Sequence, residues 1–445
     1  MDPHDSTAKT GPSRRELLAL AAGAAAGATV AAPATATAAA GAGRDGHPAG
    51  RWVGTWAAVP TTVPPTQVTT VADQTVRHVV HTSIGGEALR VRLTNEFGTL
   101  PLVVGEVRVA RRAGTGASTD TRPGSDRPVT FGGRSAATVP VGAPLVSDPV
   151  DLRVPAGEEL VISVYLPERT PVTTLAAFSY QENVVAAGNV TAARTVTPTA
   201  TVTQDWFLSG VSVLTRARDA AAIVTLGDSI TNGANTEANA NHRWPDLLAR
   251  RLRAAPGLAD RGVVNLGVSG NRLLHDPNPP AGSDAEAYAA YFGHSALRRF
   301  DRDVLAQPGA RHLVVLLGVN DLGHPGTTAP ASEVVTAEEI IAGHRQLIAR
   351  AHQAGLRVHG ATILPFKGDT LGFYTPENER KRATVNRWIR TGGEYDGVVD
   401  FDAAVRDPAD PQRLLARYDS GDHLHPNDAG MAAMADAVPL RLFRD

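Results

Sequence analysis

Hydrophobic positions along the chain keep two different rhythms. Between residues 51 and 216 the clearest is strict alternation. Leu89-Arg90-Val91-Arg92-Leu93 puts an apolar side chain at every second position with Arg between them, the period of a strand buried on one face and wet on the other. Short apolar runs predict further strands at 76–82, 102–110, 150–154, 160–166 and 211–214. Turn clusters such as Gly85-Gly86 and the polar stretch 112–128 separate them, and no convincing helical period of normal length intervenes. Short strands punctuated by Gly and Pro predict a β-sandwich, jelly-roll-like in layout, over 51–216.

From about residue 220 to 445 the rhythm changes. Near-continuous apolar runs at 222–227, 262–267, 312–317, 356–363 and 397–401 read as strands covered on both faces, hence a parallel sheet. Helical stretches lie between them and carry start signals. Thr336 with Glu339 makes a capping box that opens a helix running to Gln353 and stopping at Gly355. Thr375-Pro376-Glu377 opens another, and the last starts near Asn427 and runs to about Val438. The expected fold class is α/β: a three-layer, doubly wound, parallel five-stranded sheet preceded by the sandwich. In such a fold chemistry belongs at the C-terminal ends of the strands.

Polar residues collect at those ends. Ala222-Ile223-Val224-Thr225-Leu226-Gly227 stops on Asp228-Ser229. Ser269-Gly270-Asn271 follows the second strand, Gly318-Val319-Asn320-Asp321 follows the third, and Asp422-His423-Leu424-His425-Pro426 precedes the last helix. Ser229 is therefore a candidate nucleophile, although Asp228 and Ser229 are equally good helix-capping residues. Asp419, Asp422, His423 and His425 also permit a metal-cluster reading. That reading leaves Ser229 and Asn320 without a task, and His423 is expected to be a loop residue.

The four blocks Gly227-Asp228-Ser229, Gly270, Gly318-x-Asn320-Asp321 and Asp422-x-x-His425 together resemble those of the SGNH, or GDSL, hydrolases. The resemblance covers the whole second domain and implies a flavodoxin-like sheet. It also implies roles: Ser229 as nucleophile, His425 as general base and Asp422 as the residue that orients it. The N–H groups of Ser229 and Gly270, with the Asn320 amide, would form the oxyanion hole. No G-x-S-x-G surrounds Ser229, so the α/β-hydrolase pattern does not compete. Only in layout does the two-domain arrangement resemble secreted bacterial carbohydrate esterases.

Composition narrows the function further. A net charge of -2 predicts no nucleic-acid or anionic-membrane partner. The absence of Cys excludes disulfides and thiolate chemistry. At the N-terminus, Arg14-Arg15 precedes an Ala-rich apolar run and then Ala-x-Ala options around 34–40. This order predicts a twin-arginine export signal over 1–40, a linker over 41–50 and a secreted protein with no membrane span. Gly41-Ala42-Gly43-Arg44-Asp45-Gly46 matches G-x-G-x-x-G but follows no strand, so no dinucleotide site is expected there. No cofactor or metal is expected, and the chain is expected to be a monomer.

The substrate pocket is expected in the loops 275–295, 321–333 and 366–374, with Tyr288, Tyr291, Phe366 and Phe373 as candidate contacts. Trp52 and Trp56 suit either a sugar platform or packing. The leading reading is a serine esterase acting on short, acetyl-type esters, with acetylated polysaccharide among the substrates. Alternatives are a lipase or phospholipase of the same chemistry, or a glycan-binding protein whose hydrolase half is inactive.

Overall fold

The computed structural model describes residues 50–444. The expected export signal and all but the last residue of the expected linker, residues 1–49, lie outside the described residues. Alternation in the first half builds two antiparallel sheets. Their strands are β1 (Arg51–Ala57), β2 (Gln74–His81), β3 (Ala88–Thr94), β4 (Glu106–Arg111), β5 (Arg127–Val129), β6 (Pro144–Val146), β7 (Glu159–Leu166), β8 (Asn183–Ala187), β9 (Ala200–Val202) and β10 (Leu208–Thr215). One sheet has the order β1-β10-β3-β6, the other β9-β8-β2-β7-β4-β5. Val53, Val91, Leu93 and Val213 from the first meet Val80, Val109, Leu160 and Ile162 from the second in one buried cluster. Two inner faces packed on each other make this a β-sandwich.

Two expected strands differ. The run 102–110 breaks at Gly105: Leu102–Val104 pairs with Ala137–Val139, and only the remainder, as β4, joins the large sheet. The run 150–154 makes only isolated bridges, Val150 to Leu89 and Val154 to Gly86. Val150, Leu152 and Val154 are buried, so the alternation reported burial correctly. Pro149 and Pro155 flank the run and lack the N–H that would extend a ladder. Trp56 belongs to the sandwich core, and the Arg90 guanidinium lies 4.4 Å from the Trp52 ring centroid. Both tryptophans are engaged in packing.

The second half forms β11 (Ala221–Gly227), β12 (Arg261–Gly267), β13 (Ala310–Leu316), β14 (Arg357–Ala361) and β15 (Gly397–Val399). All neighbours are parallel, in the order β12-β11-β13-β14-β15. Counted within this sheet that is 2-1-3-4-5, the flavodoxin-like doubly wound order. The helices are α1 (Ser229–Asn232), α2 (Trp244–Ala254), α3 (Ala296–Phe300), α4 (Val319–Gly323), α5 (Ala337–Gln353), α6 (Pro376–Thr391), α7 (Phe401–Val405) and α8 (Asp428–Ala437). Successive strand residues point to opposite faces, and the core divides accordingly. Val224, Leu226, Leu313 and Val315 pack with Ile340 and Leu347 of α5 and Val385 of α6. Ile223, Val314 and Leu316 pack with Leu248 of α2, Phe401 of α7 and Met431 of α8. Each fully buried aliphatic side chain contributes about 1.5–3 kcal/mol relative to exposure.

Helix starts follow local chemistry. The capping box at α5 is closed, with Thr336 Oγ1 accepting from Glu339 N at 3.1 Å and Glu339 Oε2 accepting from Thr336 N at 2.7 Å. Thr375 caps α6 and Asn427 caps α8 through their side-chain oxygens. Among the described residues, no helix is long and apolar enough to cross a membrane.

Candidate active site

Strand β11 ends at Gly227, and the chain turns at once into the single turn of α1. Asp228 caps that turn, its Oδ1 accepting from Ile230 N at 3.0 Å, so Ser229 is the first helical residue. The turn lies close against the strand end. A Cβ on Gly227 would come within 2.1 Å of Thr231 Oγ1, which only a glycine avoids. Ser229 retains 7% exposure. Burial pushes the Asp228 carboxyl up to about 7, against the lowering pull of the Ile230 N–H and of His425.

His425 comes from the loop before α8. Its Nε2 lies 2.8 Å from Ser229 Oγ, and its Nδ1 lies 2.6 Å from Asp422 Oδ2. A carboxylate only accepts, so the imidazole proton belongs on Nδ1 and Nε2 is left to accept the Ser229 hydroxyl proton. Asp422 is held from several sides. Its Oδ1 accepts from Leu424 N at 3.0 Å, His425 N at 2.8 Å and Ser420 Oγ at 3.1 Å, and its Oδ2 accepts from Asn235 Nδ2 at 2.9 Å. Partial burial alone would raise this carboxyl. The bond to and charge of His425 and the backbone N–H groups outweigh it, and Asp422 stays well below the usual carboxylate range.

Two further strands bring donors to the same rim. Gly270, just after β12, has φ +76°, and a Cβ there would meet the Phe292 ring at 2.0 Å. Its backbone is thus one that a side chain would both strain and obstruct. Asn320, on α4 just after β13, is 3% exposed. Its Nδ2 spends one hydrogen on Asn271 O, at 3.0 Å, and keeps the second. Asp321 accepts from Leu273 N at 2.8 Å and Leu274 N at 2.9 Å, tying the loop of Gly270 to α4. Under the rim lies Arg299, 1% exposed. It donates to Gly227 O at 3.2 Å, Leu266 O at 3.1 Å and Asn271 Oδ1 at 3.0 Å. Burial lowers its guanidinium to about 10, which leaves it charged at neutral pH.

The family model of the GDSL-like lipase/acylhydrolase family matches residues 225–433. This stretch is a GDSL-like lipase/acylhydrolase domain. No curated protein matches the chain. Among solved structures, the chain is similar to the native aryl esterase of M. smegmatis, at 20% identity over 49% of this chain and 96% of that one, TM-score 0.37. It is also similar to a GDSL-like lipase of Bacteroides thetaiotaomicron VPI-5482, at 17% identity over 50% and 87%, TM-score 0.34.

Around the GDSL site, the four aromatic side chains expected to contact substrate divide. Phe366 has no exposed surface and lies in the core beside α5 and α6. Phe373, 3% exposed, fills the space over Gly323, where a Cβ would come within 2.1 Å of its ring. Tyr291 is 9% exposed, and its hydroxyl donates to Gln67 Oε1 of the sandwich at 3.0 Å. Phe366 and Phe373 pack inside the fold, whereas Tyr291 lines a pocket with Phe178, Asn232 and Ser269. Tyr288 stays exposed and sits edge-on to Phe292, the ring that covers Gly270. The sequence reading gave no role to Arg299 or Asn235. Neither lies in a legible motif, and each meets its partners only through the fold.

His423 turns away from this arrangement. Its φ is +61°, its N–H donates to Asp419 Oδ1 at 3.0 Å, and its ring pairs with Asp419 Oδ2. The four residues of the metal reading are thus engaged as two His–Asp pairs. A different group, Glu237, His242 and Asp428, is the one among the described residues whose ligand atoms gather within reach of a single ion. Its members are already linked, with His242 Nδ1 at 2.6 Å from Asp428 Oδ2 and Glu237 N donating to Asp428 Oδ1 at 3.0 Å.

Proposed function

We propose that this ester hydrolase is an exported serine esterase that removes short acyl groups, acetyl above all, from carbohydrates or small molecules through an acyl-enzyme on Ser229. The carrying observation is the chain of contacts Ser229 Oγ–His425 Nε2 at 2.8 Å and His425 Nδ1–Asp422 Oδ2 at 2.6 Å. In the first step Ser229 Oγ attacks the ester carbonyl carbon as its proton passes to His425 Nε2. The carbonyl electron pair moves onto oxygen, where the N–H groups of Ser229 and Gly270 and the free hydrogen of Asn320 Nδ2 receive it. The intermediate collapses, the C–O bond to the alcohol breaks, and His425 returns the proton to the leaving oxygen. Water then repeats the sequence on the acyl-enzyme, releasing the acid and restoring Ser229. Asp422 stays ionised throughout and stabilises the imidazolium.

Two observations favour a short acyl group. The Phe292 ring fills the space beside Gly270, and Phe366 and Phe373 are folded inward, so these two offer no open aromatic wall. The paired Arg14-Arg15 and the apolar run after them support export. The test is a series of p-nitrophenyl esters from acetate to octanoate, run beside acetylated xylan, with Ser229→Ala as control. We expect the highest kcat/KM at acetate or propionate and no turnover by Ser229→Ala. Full activity in Ser229→Ala would overturn the nucleophile, and an optimum at octanoate would overturn the acyl preference.

A further inference from the structure

The outer face of the sandwich sheet β1-β10-β3-β6 carries a trough that none of Ser229, Gly270, Asn320, Asp422 or His425 borders. Arg92 on β3 stands opposite Gly210 of β10 on one side and Val146 of β6 on the other. Residues directly opposite across antiparallel strands share a face, so all three look outward, away from the core that Val91 and Leu93 enter. Gly210 has no side chain to fill its place. A Cβ there would make only ordinary contacts, with Trp56 O at 3.7 Å and Arg92 Cβ at 3.8 Å. Pro144 and Val146, on the edge strand β6, form one wall. Ala306 and Pro308 of the hydrolase half form the other, where Pro308 O accepts from Gly54 N of β1 at 2.8 Å. Trp56 and Arg92 complete the lining of a space of about 180 Å³. The trough meets β13 at its N-terminal end, whereas Asn320 lies beyond its C-terminal end, roughly 20 Å of strand away.

Arg92 brings a charge to this apolar space and finds no counter-charge there. Its cross-strand neighbours Gly210 and Val146 offer no side-chain acceptor, and among the described residues no group accepts a hydrogen bond from its guanidinium. The two carboxylates whose charge reaches it are already occupied. Asp303 accepts from Arg299 Nη1 at 3.3 Å and from Arg302 Nε at 2.6 Å, and Glu96 Oε1 accepts from Arg302 Nη1 at 3.3 Å. Three guanidiniums thus stand against two carboxylates. Burial lowers the Arg92 guanidinium, against the raising pull of Asp303 and Glu96, yet an arginine keeps its charge. Arg90, two residues earlier on the same face, is spent on the Trp52 ring, 4.4 Å from its centroid. A partly buried charge without a partner is costly, and an anion in the trough would offset that cost.

We propose that this trough is a binding site for a small aromatic monocarboxylate of benzoate size, with the carboxylate on the Arg92 guanidinium and the ring over Gly210, against Trp56, Val146 and Pro308. A guanidinium presents a planar fork that takes a carboxylate through two parallel hydrogen bonds. A cavity of roughly 150 Å³ with apolar walls accepts a benzene ring, and the trough is of that size. One free fork matches one negative charge, whereas a phosphate dianion would leave charge against apolar walls. The site is separate from the ester-cleaving centre and does not depend on the roles given to Ser229 and His425.

The test is a fluorine NMR titration of wild type, Arg92→Gln and Gly210→Val with 4-fluorobenzoate, 4-fluorobenzyl alcohol and fluoroacetate, with thermal melting of each protein. For wild type we expect 4-fluorobenzoate to bind with Kd on the order of 0.1–1 mM. The alcohol, which keeps the ring and loses the charge, and fluoroacetate, which keeps the charge and loses the ring, should each bind at least about tenfold more weakly. Arg92→Gln removes the charge and Gly210→Val fills the floor, and each should weaken 4-fluorobenzoate by at least about tenfold. Arg92→Gln should melt at or above wild type, because it removes a charge that has no partner. No binding of 4-fluorobenzoate up to about 10 mM would overturn the inference. So would an alcohol that binds as tightly as the acid, or an unchanged Kd in Arg92→Gln and Gly210→Val. A lower melting temperature for Arg92→Gln would also overturn it, by showing that the guanidinium serves the fold.

Discussion

Asp422→Asn isolates the electrostatic half of the Ser229–His425–Asp422 chain, because the substitution keeps shape and removes charge. In the native site Oδ1 accepts from the backbone N–H groups of Leu424 and His425, while Oδ2 faces two donors, His425 Nδ1 and Asn235 Nδ2. An asparagine satisfies the backbone with its oxygen and turns its NH₂ toward those two donors. The conflict is relieved when His425 changes tautomer, Nδ1 accepting from the new amide. Nε2 then carries the proton, points it at Ser229 Oγ 2.8 Å away, and has no lone pair to take the serine proton. The fraction of molecules in the competent tautomer sets the rate, and the expected loss in kcat is about 10³–10⁴. At 1.36 kcal/mol per decade that is about 4–5.5 kcal/mol of transition-state stabilisation. KM should move by less than threefold, since none of these atoms is placed to bind the ground state. The assay is steady-state hydrolysis of p-nitrophenyl acetate at pH 7.5, with melting to confirm the fold. A loss below tenfold, or one carried by KM, would refute the assignment of Asp422 as the group that orients and charges His425.

Other perturbations follow from the same geometry. Asn320→Ala removes one donor and leaves Asn271 O without the Nδ2 that reaches it at 3.0 Å; kcat should fall by about 10²–10³ with KM little changed, as steady-state kinetics will show. Asp228 is buried with its carboxyl pushed up to about 7, so above the ordinary ~3.9 the folded chain binds more protons than the unfolded one, and stability falls as pH rises through that window. Asp228→Asn keeps an acceptor for Ile230 N–H without that penalty, and urea unfolding should find it gaining on wild type between pH 5 and pH 8 by on the order of 1–3 kcal/mol; an equal gap at both pH values would sink the argument. Arg14→Lys with Arg15→Lys should retain active enzyme in the producing cells, measured as esterase in cell and medium fractions.

What the residues disclosed in advance was mostly what local chemistry dictates. The run Ala222–Leu226 into Gly-Asp-Ser reads as a buried strand delivering a side chain to a sheet edge, and β11 followed by α1 is that arrangement. The capping residues Thr336, Thr375 and Asn427 specify helix starts within a few positions, and each cap forms. Legibility ends where a side chain's fate depends on distant partners. An aromatic residue in a loop has no period to say which way it faces, so Phe366 and Phe373 could not be told from surface contacts, and both are buried. Arg299 reads as one more charged residue of a short helix, yet it binds the carbonyls that end β11 and β12. Asn235, in an exposed turn, reaches Asp422 across 187 residues of chain.

The need for the sandwich follows from where β12 lies. It is the edge of the parallel sheet, with β11 on one side and no strand of its own sheet on the other. An edge strand carries unpaired N–H groups, and the loop after it has a sheet neighbour on one flank only. That loop carries Gly270. The sandwich covers the open flank. Val263 N donates to Ser83 Oγ at 2.9 Å, and a Cβ on Gly262 would come within 2.5 Å of Gly54 O on β1. Ser83 Oγ in turn donates to Thr55 O at 2.7 Å. Ser83→Ala would therefore orphan one buried donor, the Val263 N–H, while Thr55 O keeps the bond from Ser83 N at 3.0 Å. A buried group left without its partner costs about 1–3 kcal/mol, so the urea midpoint should fall by that order and the Val263 amide should exchange at least tenfold faster. Unchanged exchange at Val263 would show that the edge is protected by something other than this contact.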